Sequence, residues 1–549
     1  MSEADRLRED WNARAIAARR EVLGALPRAR DLQRELLLDA CVRPNVDTAF
    51  GRAHGLDRVR TIDDYRAAVP IRTYEELRPW IERAAAGEPA VLTAEPPVAF
   101  NRTSGTTSAP KLVPVTARFE RDYETRRRGI VMGTLVELHP GCNARADATL
   151  NFFWDPRRPA ASVASGAPAL STAARQAGGA ALGMPGSLAP WAAVPAELTA
   201  DADRFYYRVR RALEHDLRCI IALNPSTLIA IEHLLRDELA ALLDDVRRGT
   251  LRGRPLGPGN PARAGELAAI AEREGRLWPS DVWPGLEVLA TWASAACALY
   301  LPRVRQVFGD VAIQPAPIVA SEGPITVSID AHPLGGVAAV TLTFLEFRDP
   351  DAPIDAPIDA PTLLCHELAI GAEYEVVMTV PSGLYRYAIG DIVRVVDQAL
   401  GVPRLEFVRR KGVFGSFTGE KLTEPQIIDA ATAALRGLGL EVRPFACVPT
   451  WGSPPHYVFV VEGAREVPAD RLAAAIDREL AACNEEYAAK RSSHRLAPAQ
   501  VVWTAAGMLG RHASAGAGAG AGNAATAKTA CLHVRPDALA ALLREGGSG

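Results

Sequence analysis

The residues best suited to chemistry stand in one short run. Thr103-Ser104-Gly105-Thr106-Thr107-Ser108 is followed directly by Ala109-Pro110-Lys111. Consecutive hydroxyl side chains around a glycine can offer O–H and backbone N–H donors to a phosphate. The glycine lets the backbone come close, and the lysine adds a compact positive charge. The same composition also makes an ordinary polar loop. No G-x-x-x-x-G-K-[ST] occurs, so this is not a Walker loop. Ser108-x-x-Lys111 also fits the nucleophile motif of penicillin-recognising enzymes. Their S-D-N and K-T-G partners are met only by Ser280-Asp281-Val282 and Lys528-Thr529-Ala530, each failing at its last residue. Neither G-x-S-x-G nor H-E-x-x-H is present, and the ten histidines show no metal-ligand spacing. The Gly-Ala run over residues 513–525 is a low-complexity loop. A dinucleotide fingerprint through Gly516 and Gly518 would need glycine at 521, which is Ala521.

Elements must hold such a loop in place, and the patterning supplies them. Residues 4–50 read as helical, as do Asp203–Leu217 and Ser226–Arg248, the last with Ser226 as N-cap. From about residue 340 the period changes to that of strands, at 341–347, 374–380 and 392–396, the third bounded by a Gly390-Asp391 turn. Between the first two, the repeated Asp-Ala-Pro of 351–361 is a surface insertion, because proline every fourth residue defeats both helix and ladder. The last 140 or so residues follow an α-β-β-α-β order that can close a small α+β domain, with the junction near Arg409-Arg410-Lys411-Gly412.

A chain of 549 residues exceeds one hydrophobic core, so at least two domains are expected. Lys and Arg are dispersed under a net charge of -3, without the basic stripe of a nucleic-acid binder. Arg126-Arg127-Arg128 reads as a solvated helix face. No run of 18 apolar residues and no signal-like segment is found, and the eight cysteines are isolated. These features lead us to expect a cytoplasmic, monomeric enzyme with reduced thiols, binding neither membrane nor nucleic acid.

The hydroxyl loop resembles the [ST]-S-G-[ST]-T-G-x-P-K signature of the acyl-adenylate-forming superfamily, departing at Ser108, where glycine is usual. Further segments follow in that superfamily's order. Ala320-Ser321-Glu322-Gly323 resembles its Y-G-x-[ST]-E motif, with Pro317-Ile318-Val319 in place of the preceding aromatic. Tyr385-Arg386-Tyr387-Ala388-Ile389-Gly390-Asp391 resembles Y-R-x-G-D. Arg409 and then Gly419-Glu420-Lys421-Leu422 resemble the hinge and the start of the small domain. Ala-Ser-Glu-Gly, the longer Gly-Leu-Tyr-Arg-Tyr-x-x-Gly-Asp and Phe344-x-Glu346-Phe347 point to one branch. So do Thr48-x-x-Gly51-Arg52-x-His54-Gly55, Val69-Pro70-x-x-Thr73-Tyr74-Glu75 and Asn484-Glu485-Glu486-Tyr487-x-x-x-Arg491. That branch is the auxin-responsive promoter (Gretchen Hagen) family of acyl acid–amido synthetases.

The resemblance implies an α/β fold. A large domain of mixed sheets flanked by helices would span residues 1–408 and a mobile α+β domain 409–549. It implies ATP and Mg²⁺, and activation of a small carboxylic acid as an acyl-adenylate that an amine or amino acid then attacks. Ser104, Gly105, Thr106, Thr107, Ser321, Glu322, Tyr385, Arg386, Asp391 and Arg409 would bind the nucleotide, with Glu322 also holding the metal. Lys111, Lys421 and Lys528 would be catalytic. Taken alone, Glu322 is equally a surface carboxylate, Gly390-Asp391 a common turn and Lys421 a solvated lysine. Two alternatives stay open: a ligase with a thiol or hydroxyl acceptor, and a member that binds ligand without catalysis, to which Ser108 and the missing aromatic give weight. The acyl pocket is expected from 130–230 and 290–320, where Phe152, Phe153, Trp154 and Trp292 occur.

Overall fold

The computed structural model describes residues 3–103, 111–145, 147–152, 161–162, 165–170, 191, 194–195, 197–198, 200–350, 361–411, 415–443, 445–463 and 465–505. They group into two compact units, one ending at Lys411 and one running from Gly415 onward. The loop from Ser104 to Pro110, the Asp-Ala-Pro insertion over 351–360, Phe153, Trp154, the Gly-Ala run and Lys528 lie outside the described residues.

The first unit holds three sheets. One has the order β2-β1-β5-β4, from Lys111–Thr116 (β2), Pro97–Thr103 (β1), Pro168–Leu170 (β5) and Ala161–Ser162 (β4). A parallel sheet has the order β10-β9-β6-β3, from Ala312–Pro315, Val288–Thr291, Cys219–Ile221 and Thr149–Asn151. Apolar residues of its strands pack with the surrounding helices, burying Leu150, Ile220 and Leu289 with Val209, Leu228 and Val304. The third sheet is antiparallel, β11-β12-β16-β15-β14-β13: Thr326–Val327, Gly336–Ala338, Val402–Arg410, Leu384–Ala399, Glu373–Val380 and Phe344–Arg348. A hairpin, β7-β8 (Thr250–Leu251 and Arg254–Pro255), completes the unit.

The expected helices form, with breaks the periodicity did not reveal. The N-terminal helix is Glu3–Ala25, and Ser226–Asp237 and Leu239–Arg248 are separated at Glu238, whose φ of -122° leaves the helical region. Ser226 is the first helical residue rather than the cap. Its N–H donates to the Asn224 side chain at 2.9 Å, so the asparagine satisfies this first-turn donor. Gly390-Asp391 is not a turn at a strand end: β15 runs through it for 16 residues. Gly390 has φ +83°, a conformation that glycine accepts without penalty, so the strand bends without stopping.

The second unit packs Glu424–Gly437 and Ala469–Cys483 on a three-stranded sheet, β17-β18-β19 (Phe445–Thr450, His456–Glu462, Gln500–Thr504). The Asn-Glu-Glu-Tyr-x-x-x-Arg segment ties this unit together. Asn484 caps Glu485–Ser492 and donates to the Glu420 carbonyl, while Tyr487 and Arg491 both donate to Asp477.

Candidate active site

β1 and β2 pair with Thr103 opposite Lys111, so the ends of the hydroxyl loop are adjacent and Lys111 opens β2. Two residues before the loop, buried Asn101 donates its side-chain amide to the Ser321 carbonyl at 2.7 Å. That carbonyl sits at the tip of a turn closed by the Ala320 N–H donating to the Gly323 carbonyl, with Val319 bridged to Pro324. A Cβ at position 323 would press on Val380 and Met378, so glycine lets the turn lie against β14. The turn brings Glu322 inward to 5% exposure.

Around Glu322 stand a lysine, an arginine, a tyrosine and an aspartate. Burial lowers the Lys111 pKa below the ordinary lysine value, and repulsion from Arg410 adds to this against attraction from Glu322. Burial pushes the Tyr387 phenol well above its usual range, and a hydrogen bond to Glu322 reinforces this. Burial opposes the charge on Arg410, yet Asp391, Glu322 and Tyr387 outweigh it and raise its pKa. Arg410 Nη1 lies 3.6 Å from Asp391 Oδ1 across the β15–β16 ladder, where the two residues are direct partners. Even so, among the described residues Asp391 Oδ1 is a buried carboxylate oxygen without a hydrogen-bond partner, in a residue only 7% exposed. A buried acceptor left this way costs free energy unless a ligand donor meets it.

Lys111, Ser321, Glu322 and Asp391 are thus brought to one region of the first unit. Tyr385 and Arg386 depart from expectation. Tyr385 is fully buried, stacks on Phe50 at 4.4 Å and donates to the Leu92 carbonyl. Arg386 is 1% exposed, with its guanidinium spent on Glu346, the Arg66 and Val69 carbonyls and Thr362. Neither has a free polar group to offer a nucleotide. Both are internal braces. Arg409 points away from Asp391, half exposed and 3.9 Å from Glu373. Adjacent strand residues face opposite ways, so Arg410 takes the position expected of Arg409.

Lys421 belongs to the second unit and is exposed, on a residue at φ +49° in a short bridged turn, Gly415 to Leu422. Buried Glu420 fixes that turn by accepting from the Phe417 and Thr418 N–H groups and from the Tyr457 hydroxyl. Ser104, Gly105, Thr106, Thr107 and Lys528 lie outside the described residues. Of the pocket aromatics, Phe152 packs against Phe205 at 5.5 Å and Trp292 is partly buried. Sequence reasoning passed over Asn101, Tyr387 and Arg410 as site residues. The signal for Arg410 was strand alternation, and Tyr387 stood inside a motif already noted.

No cluster of three or more metal-ligating side chains occurs among the described residues. The described seven cysteines are free, and no described helix is long and apolar enough to cross a membrane.

The fold is that of the acyl acid amido synthetases. Two solved structures of the GH3.15 acyl acid amido synthetase, one in complex with 2,4-DB, match 96% of this chain. They cover 96% and 95% of their own chains, with TM-scores of 0.62 and 0.61 and 20% identity. The chain belongs to the GH3 family: the family's N-terminal domain matches residues 19–313, its central domain 336–410 and its C-terminal domain 425–528. Among its relatives is a probable indole-3-acetic acid-amido synthetase of Oryza sativa subsp. japonica, 25% identical over 78% of this chain and 74% of that protein. Another is a jasmonoyl–L-amino acid synthetase of Nicotiana attenuata, 24% identical over 78% of each chain.

Proposed function

We propose that this enzyme is an amide-forming ligase that activates a small carboxylic acid with ATP and transfers the acyl group to an amine or amino acid. Its family membership and its amido synthetase relatives support the reaction class. The observation that carries the site assignment is the buried Asp391 oxygen beside Arg410, which accepts no hydrogen bond from the described residues, in the same region as Glu322 and Lys111. A sugar hydroxyl pair supplies the donors such an oxygen lacks.

In the first step the acid's carboxylate oxygen attacks the α-phosphorus of ATP, forming acyl-AMP and releasing pyrophosphate. Two anions meet, so catalysis rests on positioning and on positive charge held where charge builds up. Lys111 and Arg410 supply that charge, and the hydroxyl loop from Thr103 to Ser108 supplies N–H and O–H donors. Glu322, a hard oxygen donor, would suit Mg²⁺ that takes its remaining ligands from phosphate and water. When bound, the ion neutralises phosphate charge. In the second step a neutral amine attacks the acyl carbonyl and AMP leaves. Lys421 serves adenylation from the second unit, with Lys528 as its alternative, and the protein works as a monomer in the cytoplasm.

Pyrophosphate release tests this assignment, measured over a panel of carboxylic acids and repeated with each amino acid, CoA and simple alcohols. Acid-dependent release with an amide product is the expected result. A thioester or ester product, or ATP binding without acid-dependent release, would replace the assignment.

A further inference from the structure

We propose that Tyr74 is a positioning residue for Lys111: its ring seats the ammonium group and its hydroxyl fixes the strand that carries the lysine. The proposal rests on the assignment of Lys111 to the nucleotide. Tyr74 opens the helix Tyr74–Ala85, whose start is closed by Thr73 and Glu76, the Thr73 N–H donating to the glutamate at 2.7 Å. The residue is therefore anchored before its side chain reaches out. The phenol donates to the Leu112 carbonyl at 3.1 Å and accepts from the Leu112 N–H at 2.7 Å. Among the described residues β2 is an edge strand, paired with β1 alone. Outward-facing backbone groups on such a strand lack a neighbour. One hydroxyl takes the place of the missing strand at the residue next to Lys111.

The ring does the second half of the work. Lys111 Nζ lies 5.1 Å from its centroid, within the range where a ring's negative face attracts a cation. Arg78 also lies over this ring, at 5.3 Å, but its charge is taken by Glu75 at 2.7 Å. Lys111 is partly withdrawn from water and faces a like charge on Arg410. The aromatic face offsets that penalty without adding a carboxylate that would compete with phosphate for the ammonium. Tyr74 thus holds a cation in place while leaving it available to an anion.

ATP–pyrophosphate exchange on the full-length enzyme tests this, with kcat and KM for ATP measured separately. The variants are Tyr74→Phe, Tyr74→Leu and trifluorinated phenylalanine at position 74, each alone and with Lys111→Ala. Tyr74→Leu should lower kcat/KM about tenfold, the size of a partly desolvated cation–π contact. In the Lys111→Ala background the same change should have almost no further effect. Phenylalanine should recover most of the loss, and fluorination, which keeps the shape but removes the negative face, should forfeit it again. Losses that multiply in the double variant, or a fluorinated ring as active as phenylalanine, would overturn the positioning role. Wild-type exchange by Lys111→Ala would instead overturn the nucleotide assignment, and the role of Tyr74 with it.

Discussion

In the proposed mechanism Lys111, Glu322 and Asp391 act as charges, so their substitution should be read in kinetics rather than in folding. Lys111→Ala should raise the barrier to ATP–pyrophosphate exchange by about 3 kcal/mol, the cost of one lost charge-stabilising donor. Asp391→Asn, which keeps shape but loses the charge-assisted acceptor, should raise KM for ATP by about tenfold or more. The pH profile carries a sign. In its proposed role Lys111 acts protonated, and burial together with Arg410 lowers its pKa. Activity is therefore complete below that pKa and falls as pH rises through it, at a lower pH than an ordinary lysine would give. The alkaline limb of kcat/KM for ATP reports this in the free enzyme. Arg410→Gln, by removing the repulsion, should move the limb to higher pH.

At the scale of elements, the site depends on a bend in β15. Arg386 sits at φ +43°, a strained value for a side chain of its size. It is held there by its N–H donating to Thr379 Oγ1 and by its guanidinium on buried Glu346, which also accepts from Arg66 and Thr362. The bend positions Tyr387 for its partner Glu322. Removing one member of a buried ion pair leaves the other charge unpaired, so Glu346→Ala should destabilise the first unit by about 3–5 kcal/mol. Thermal denaturation should show the loss, with no comparable change for Arg409→Ala, whose side chain is half exposed. The N-terminal helix is likewise seated, with Arg19 donating twice to the Ile329 carbonyl and pairing with Glu137. It meets the helix Thr125–Leu138 at Gly133, where any Cβ would collide with the Ala15 carbonyl. Gly133→Ala should lower the melting temperature, at a cost of about 1–3 kcal/mol.

At the scale of the whole molecule, the residues proposed for the chemistry come from both units of the chain. The first unit carries Lys111, Glu322, Asp391 and Arg410, and the second carries Lys421 on a short bridged turn. If Lys421 serves adenylation alone, Lys421→Ala should lower acid-dependent pyrophosphate exchange at least tenfold while amide formation from supplied acyl-AMP proceeds at the wild-type rate. Equal loss in both half-reactions would assign it elsewhere.

The motifs that bring Glu322 and Asp391 to the region of Lys111 were legible in the chain because such groups come with neighbours that shape the backbone, such as Gly323 and Gly390. Strands and helices were legible because apolar residues repeat at the period of the face they bury. The sequence could not separate Arg409 from Arg410 or foresee that Arg386 is consumed by Glu346. Facing is set by the register of β15 against β16 and by partners 40 residues away, and these exist only once the sheet has formed. Tyr74 is the clearest case. It lies 37 positions before Lys111, and only the open edge of β2 turns a helix-start tyrosine into the lysine's support.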